Sequence, residues 1–228
     1  MFSKPHRSLY LGLEVARQWK ESQRNQTLIH CPIIQIEECS LDQEEMVEAF
    51  QHFAHCNYLI LTSKVAVRLF FNALFHFGYS ERTLKKIVIL AIGAETAKSI
   101  ESFGVVVNHV AANETSEGMT KLLHALDLTS AHFFYPCSAL ARPVIANFFK
   151  QRDIPFHQIP LYTTVTRSCK EEILQILPIV DELIFTSPST VNAYIELFQS
   201  IPWDKKISSI GPITANHLNK MRDQCLID

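Results

Sequence analysis

An excess of charge of one sign is absent from this chain: 21 Lys+Arg stand against 23 Asp+Glu in 228 residues, a net charge of −2. A balanced count builds no broad basic face, which excludes a nucleic-acid or general polyanion binder; a small anionic ligand held by local geometry remains compatible. Long hydrophobic runs are lacking as well. The longest, around Leu69 to Leu74 and Lys86 to Ile92, fall far short of the roughly 20 residues of a membrane span. Glu14, Arg17 and Lys20 interrupt any signal segment near the N-terminus, so the expected setting is cytoplasmic, without membrane contact. Six cysteines (Cys31, Cys39, Cys56, Cys137, Cys169 and Cys225) form no CxxC pair, which argues against a zinc ribbon or a disulfide framework and leaves reduced thiols. Among ten histidines, His52 and His55 share a helical face with Cys56 beside them. Two ligands on one helix do not complete a coordination sphere, and no metal is expected. GxSxG, HExxH, Walker A and GxGxxG motifs are all absent, so neither a nucleophile elbow nor a dinucleotide fingerprint is present.

What is there is a soluble-type composition, 47% hydrophobic and 19% charged, and an internal echo. Tyr58-Leu-Ile-Leu-Thr-Ser-Lys-Val-Ala-Val67 resembles Glu182-Leu-Ile-Phe-Thr-Ser-Pro-Ser-Thr-Val191. Each is a short apolar strand that ends in Thr-Ser and passes into a helical pattern, with Val65, Leu69, Ala73 and Phe77 after the first and Val191, Tyr194, Ile195 and Phe198 after the second. A second pair follows in the same order: Leu90-Ala-Ile-Gly-Ala-Glu-Thr-Ala97 and Ser208-Ser-Ile-Gly-Pro-Ile-Thr-Ala215. The separation from Ser63 to Ser187 nearly equals that from Gly93 to Gly211, which indicates a duplicated α/β module.

Between the copies, strand and helix keep alternating. Val105 to Val110 and His132 to Tyr135 read as strands, Glu44 to His55 and Ser116 to Leu126 as helices, and Pro143 sits in the first turn of another helix beginning near Arg142. Such alternation implies parallel sheets covered by helices on both faces. Cys31 to Glu37 and His157 to Val165 break the rhythm, being extended and proline-bearing. They suit the two crossings required if a middle domain of 38–160 is inserted into a domain made of 1–36 and 166–228, with linker strands at 30–37 and 157–165. The N-terminal strand Ser8 to Leu13 and a helix from Val15 to Ser22 then join the discontinuous domain.

In parallel α/β sheets, ligands collect beyond the carboxyl ends of the strands, where helix N-termini offer unpaired N–H groups and partial positive charge. The Thr62-Ser63, Thr186-Ser187, Gly93 and Gly211 loops all lie at such ends, and Glu114-Thr-Ser-Glu-Gly118 adds another hydroxyl-bearing helix start. Ser and Thr are also the ordinary N-caps, so each loop alone has a purely structural reading.

These motifs, in this order and spacing, together with Leu161-Tyr162-Thr-Thr-Val165, resemble the uroporphyrinogen-III synthase family from about Cys31 to Met221. The resemblance implies two Rossmann-like parallel-sheet domains joined by a two-stranded β ladder, with the active-site cleft between them. It implies a cofactor-independent, monomeric lyase of haem biosynthesis that cyclises hydroxymethylbilane to uroporphyrinogen III, losing water and inverting ring D through a spiro intermediate. Transient contact with the preceding pathway enzyme is the one protein partner implied. Tyr162 is the implied aid to hydroxide departure. Thr62, Ser63, Thr96, Thr115, Ser116, Ser138, Arg142, Thr186, Ser187, Ser189, Gly211 and Thr214 are the implied substrate-binding positions. Three features depart from the family's pattern. Gly12-Leu13 replaces Thr-Arg, Cys137-Ser138 replaces Arg-Gly, and the sequence stops at Asp228, where a further strand and helix start are expected. The alternative is a non-catalytic tetrapyrrole- or polycarboxylate-binding protein of the same fold; a two-domain sugar or amino-acid sensor is a third reading.

Overall fold

The computed structural model describes residues 5–15 and 26–224. Past Val15, the expected helix to Ser22 lies outside the described residues, as does Cys225. In chain order the strands are β1 (His6–Tyr10), β2 (Gln26–His30), β3 (Ile34–Glu38), β4 (Tyr58–Leu61), β5 (Val88–Ala91), β6 (His109–Val110), β7 (Phe133–Ser138), β8 (Phe156–Thr166), β9 (Glu182–Phe185) and β10 (Lys206–Ser209). The α-helices are α1 (Glu44–His52), α2 (Lys64–His76), α3 (Ala94–Glu101), α4 (Ser116–His124), α5 (Val144–Lys150), α6 (Lys170–Ile176), α7 (Pro188–Phe198) and α8 (Pro212–Gln224). Two compact units result, one of Met1–Ile36 with Thr164–Asp228 and one of Glu37–Thr163, and the chain passes between them within β3 and β8.

The first unit holds a sheet of order β10-β9-β1-β2. Its registered pairs are all parallel. Leu9, Leu183, Phe185, Val191, Tyr194 and Leu218 share its core. β1 ends at Tyr10 rather than at the expected Leu13. Gly12 explains the bend: a Cβ there would lie 2.5 Å from the Thr186 side chain, so only glycine permits this approach.

One buried charge organises this unit. Glu182 is 1% exposed, yet it accepts from Ser8 Oγ at 2.6 Å, Ser208 Oγ at 2.5 Å and Lys206 Nζ at 2.9 Å, with His6 Nε2 at 3.0 Å. Ser8 and Lys206 are its register partners on β1 and β10, so the carboxylate ties three strands together. Burial alone pushes its pKa up, but these four partners outweigh that and hold it at about 2.

The second unit lies in the six-stranded order β3-β8-β7-β4-β5-β6. Phe133 and Phe134 are consecutive on β7, so they point to opposite faces. Phe134 packs against Phe50, Phe53 and Phe70, with ring centroids 4.7 Å apart for Phe53. Phe133 joins Met119, Leu123, Ile145 and Phe149 on the other face. Helices therefore cover both sides of β7, and its near-continuous apolar run follows from that double burial.

Several boundaries differ from the sequence reading. The strand expected over Val105 to Val110 shrinks to His109–Val110. Asn108 both donates its N–H to Ile89 O and accepts the Ile89 N–H on its own Oδ1, so a side chain takes over part of the ladder. β7 runs on through Pro136 to Ser138. Its pairing with β4 is confined to Phe133 and Phe134, so Pro136 removes no donor from that ladder. The helix after Glu44 becomes a 3-10 turn over Phe53–His55. Among the described residues, no helix is long and apolar enough to cross a membrane.

Glu182 generates a pH prediction. Its folded pKa is depressed from the ordinary 4.5 to about 2, so its contribution is complete above pH 4.5 and is lost as pH falls towards 2. Glu182→Gln is expected to cost about 1–3 kcal/mol at neutral pH and to flatten the acid limb, as read by urea denaturation across pH 2–6.

Candidate functional site

In the second unit the carboxyl ends of β4, β5 and β7 open into loops that start α2, α3 and α5. Thr62 and Ser63 follow β4. Ser63 is the N-cap of α2, and its Oγ accepts the Ala66 N–H at 3.0 Å. The same oxygen lies 3.0 Å from the Tyr162 hydroxyl, so a cap and the candidate catalytic phenol share one hydrogen-bonded pair.

A β-bulge produces that meeting. Cys137 pairs with Pro160 but Ser138 pairs with Tyr162, so β8 carries one extra residue, Leu161, at this point. The bulge re-aims the residues that follow. The Tyr162 carbonyl accepts from Ala139 N at 2.7 Å, and Ser138 Oγ accepts from Leu140 N at 3.1 Å. Tyr162 is 8% exposed. Burial pushes its pKa above 10.0, against the opposing effect of the Ser63 hydrogen bond, so the phenol keeps its proton at neutral pH. Burial likewise raises Tyr135, whose hydroxyl bonds to Thr62, and raises the neighbouring Cys137 thiol to about 11.

Further along the same edge, the positions expected to take anions are met by the protein's own carboxylates. Glu114 Oε1 accepts the Ala94 N–H at 3.1 Å at the start of α3. Gly93 makes room for it, since a Cβ there would lie 2.4 Å from the Glu114 carboxyl. Thr115 caps α4 by accepting Gly118 N–H at 3.0 Å. Arg142 grips Glu117 with both terminal nitrogens, at 2.6 and 2.8 Å; this pairing lowers Glu117 to about 2 and raises Arg142. Ser116 is half-buried at the first position of α4.

In the first unit, Ser187 is the N-cap of α7 and forms a capping box with Thr190. Thr190 Oγ1 also accepts from the N–H groups of Thr186 and Ser187, at 3.1 and 3.2 Å. Thr186 and Ser189 are half-buried around this turn. Gly211 adopts φ +78 before α8, a left-handed conformation that favours glycine.

The second unit thus brings together Ser63 and Tyr162, sets Ser138 opposite Tyr162, and joins Thr115 to Arg142 through Glu117. It does not present Thr96, which is 5% exposed within α3. Thr214 is similarly inward, at 2% exposed within α8. Both threonines are the third residues of their helices, in the first turn, and both are buried. Glu114 and Glu117 are the functional candidates that sequence reading passed over. Their signal was present, because acidic side chains bracketing a Thr-Ser helix start are the residues a helix N-terminus attracts. A cavity of about 350 Å³ elsewhere in the unit lies between α1 and β8, lined by Met46, Ala49, His157 and Ile159 among others.

Residues 20–226 match the family model described as Uroporphyrinogen-III synthase HemD. The curated Porphyrin biosynthesis protein HemD of Ruminiclostridium josui is 26% identical over 185 residues, covering 78% of this chain and 36% of that protein. The chain therefore spans little more than a third of the length of the curated relative it matches. Among solved structures, a mutant uroporphyrinogen III synthase from the extreme thermophile Thermus thermophilus has TM-score 0.65 at 21% identity, covering 95% of this chain and 89% of that one. Uroporphyrinogen-III synthetase from Helicobacter pylori has TM-score 0.61 at 18% identity, covering 94% and 88%. These likenesses establish the α/β parallel-sheet fold.

The Glu114 cap is testable by a double-mutant cycle. Glu114→Ala is expected to cost about 0.5–1 kcal/mol by removing a carboxylate from a helix start. Gly93→Ala should cost at least as much alone and less in the Glu114→Ala background, because its clash partner is gone; thermal denaturation of the four proteins measures both.

Proposed function

The chain belongs to the uroporphyrinogen-III synthase family, and from that premise we propose that it cyclises hydroxymethylbilane to uroporphyrinogen III without a cofactor. The observation that carries this reading is the Ser63–Tyr162 pair at the carboxyl edge of the sheet. One Ser63 lone pair is committed to the Ala66 N–H. Either hydroxyl can donate in the Ser63–Tyr162 pair; in the proposed arrangement Ser63 donates to Tyr162 Oη, which leaves the phenol proton for the substrate.

In the proposed reaction the C–O bond of the terminal hydroxymethyl group breaks with its electron pair on oxygen. That oxygen takes the Tyr162 proton and leaves as water, while the pyrrole nitrogen lone pair makes the azafulvene cation. Attack through a spiro intermediate inverts ring D, and the proton released as the last ring regains aromaticity returns to Tyr162. The net change is loss of one water. Unguided closure gives the symmetric isomer I, so the protein's contribution is largely conformational.

The substrate carries four acetates and four propionates. The hydroxyls at Thr62, Ser63, Thr115, Ser116 and Ser138 are the proposed contacts in one unit; Thr186, Ser187, Ser189 and the Gly211 turn are those in the other. Arg142 exchanges Glu117 for a substrate carboxylate in this reading. A charge-assisted hydrogen bond is worth about 1.5–3 kcal/mol, so a few such contacts select one conformer. The departures at Gly12-Leu13 and Cys137-Ser138 favour a second reading, a polycarboxylate binder that performs no closure.

Separating isomers after incubation with hydroxymethylbilane distinguishes the two, since only the synthase yields isomer III. Tyr162→Phe keeps the buried ring but removes the acid, and is expected to lower kcat about 10²-fold with KM little changed. Ser63→Ala, which removes both the cap and the proton donor, should reduce kcat less. Wild-type turnover in Tyr162→Phe would refute the catalytic assignment.

A further inference from the structure

At the opposite, amino-terminal edge of the same strands lies a cluster that the proposed reaction leaves unused. Cys56 stands between the Phe53–His55 turn and β4, His132 directly precedes β7, and His157 is the second residue of β8. Their potential ligand atoms, one thiol sulfur and two imidazole nitrogens, all lie within 4.8 Å of one another. The His157 ring stacks on His132 at 5.0 Å and on His52 at 5.2 Å. His52 is exposed and forms the outer rim, with His55 beyond it at 6.5 Å.

We propose that Cys56, His132 and His157 bind a transition-metal ion of the zinc type, with His52 closing a tetrahedral set from the rim. The donor set suits such an ion, because zinc is bound by thiolate sulfur and imidazole nitrogen alike and prefers four tetrahedral ligands. With metal–ligand bonds of about 2.0–2.3 Å, tetrahedral ligand atoms sit about 3.3–3.8 Å apart.

The backbone under the cluster is already fixed. The His132 carbonyl accepts from both Asn57 N and Tyr58 N, at 3.1 and 3.2 Å, and the His132 N–H donates to Asn57 Oδ1 at 2.8 Å. His157 is held by its register with Phe134. Three adjacent strands therefore present the ligands, and the cavity beside His157 gives an approach from solvent. Five strand residues at about 3.3 Å each separate His157 from Tyr162, roughly 17 Å, so the ion would not touch the Ser63–Tyr162 pair.

The protonation chemistry is consistent with this. Burial, together with the neighbouring His52, His55 and His132 charges, lowers His132 and His157; Glu48 is the one group raising His157. The ligand form of Cys56 is the thiolate, so a bound cation takes the place of its proton. Binding forms the sulfur–metal bond, breaks S–H and releases one proton to solvent.

The test uses the full chain and metal alone. Calorimetric titration with Zn²⁺ in buffers of differing ionisation enthalpy is expected to give one equivalent bound and about one proton released. Co²⁺ should give a near-ultraviolet thiolate charge-transfer band with intense visible bands of tetrahedral cobalt. Cys56→Ser should abolish the charge-transfer band, and His157→Gln should weaken Zn²⁺ binding at least tenfold. Because Cys56 is buried, His157→Gln with an unchanged circular dichroism spectrum is the variant that guards against misfolding. Cobalt without a thiolate band, or Zn²⁺ binding unaltered in both His157→Gln and His132→Gln, would overturn the site.

Discussion

Every helix that follows a parallel strand begins with amide N–H groups that no helical carbonyl can satisfy, and most of what is distinctive in this protein descends from how those donors are met. Ser63, Thr115 and Ser187 meet them with their own hydroxyls. Glu114 meets them for α3 with a carboxylate donated from a different loop. A hydroxyl cap accepts at one lone pair and still owns a proton. That leftover capacity is what allows Ser63 to engage Tyr162 as well as its own helix.

The carboxyl edge of the second unit is consequently well provided with anion-seeking groups, yet part of it is occupied from within. Glu117 neutralises Arg142 and Glu114 covers the start of α3. Such internal partners hold those donors in place, and on the proposed function an incoming carboxylate has to displace them. For a polyanion several such exchanges form at once, which favours it over a single anion. The opposite edge works by other chemistry: imidazoles and a thiol gather there, an arrangement that suits a cation only once protons have left.

The duplicated modules were legible before any coordinates. Apolar strands ending in Thr-Ser and Ile-Gly, each followed by a stripe at helical spacing, obey local rules of period and capping, and the helices at Lys64–His76 and Pro188–Phe198 begin where those rules place them. Ser63 as a cap was readable for the same reason. Less legible was the strand over Val105 to Val110, because the choice between a ladder bond and an Asn108 side-chain bond depends on the neighbour at Ile89. The burial of Thr96 and Thr214 was not legible, since sequence spacing gives a helical position but not what packs against it.

By itself the sequence determined the alternation of strand and helix, the parallel sheets that alternation requires, the family, and the hydroxyl-bearing helix starts. All of these follow from interactions spanning a few residues along the chain. Only the tertiary structure decided that an extra residue at Leu161 turns Tyr162 onto Ser63, that Glu182 is a buried tie across three strands, and that His132 and His157 join Cys56. Those partners lie far apart in the chain, and their meeting is set by strand register, which hydrophobic periodicity along one segment does not encode.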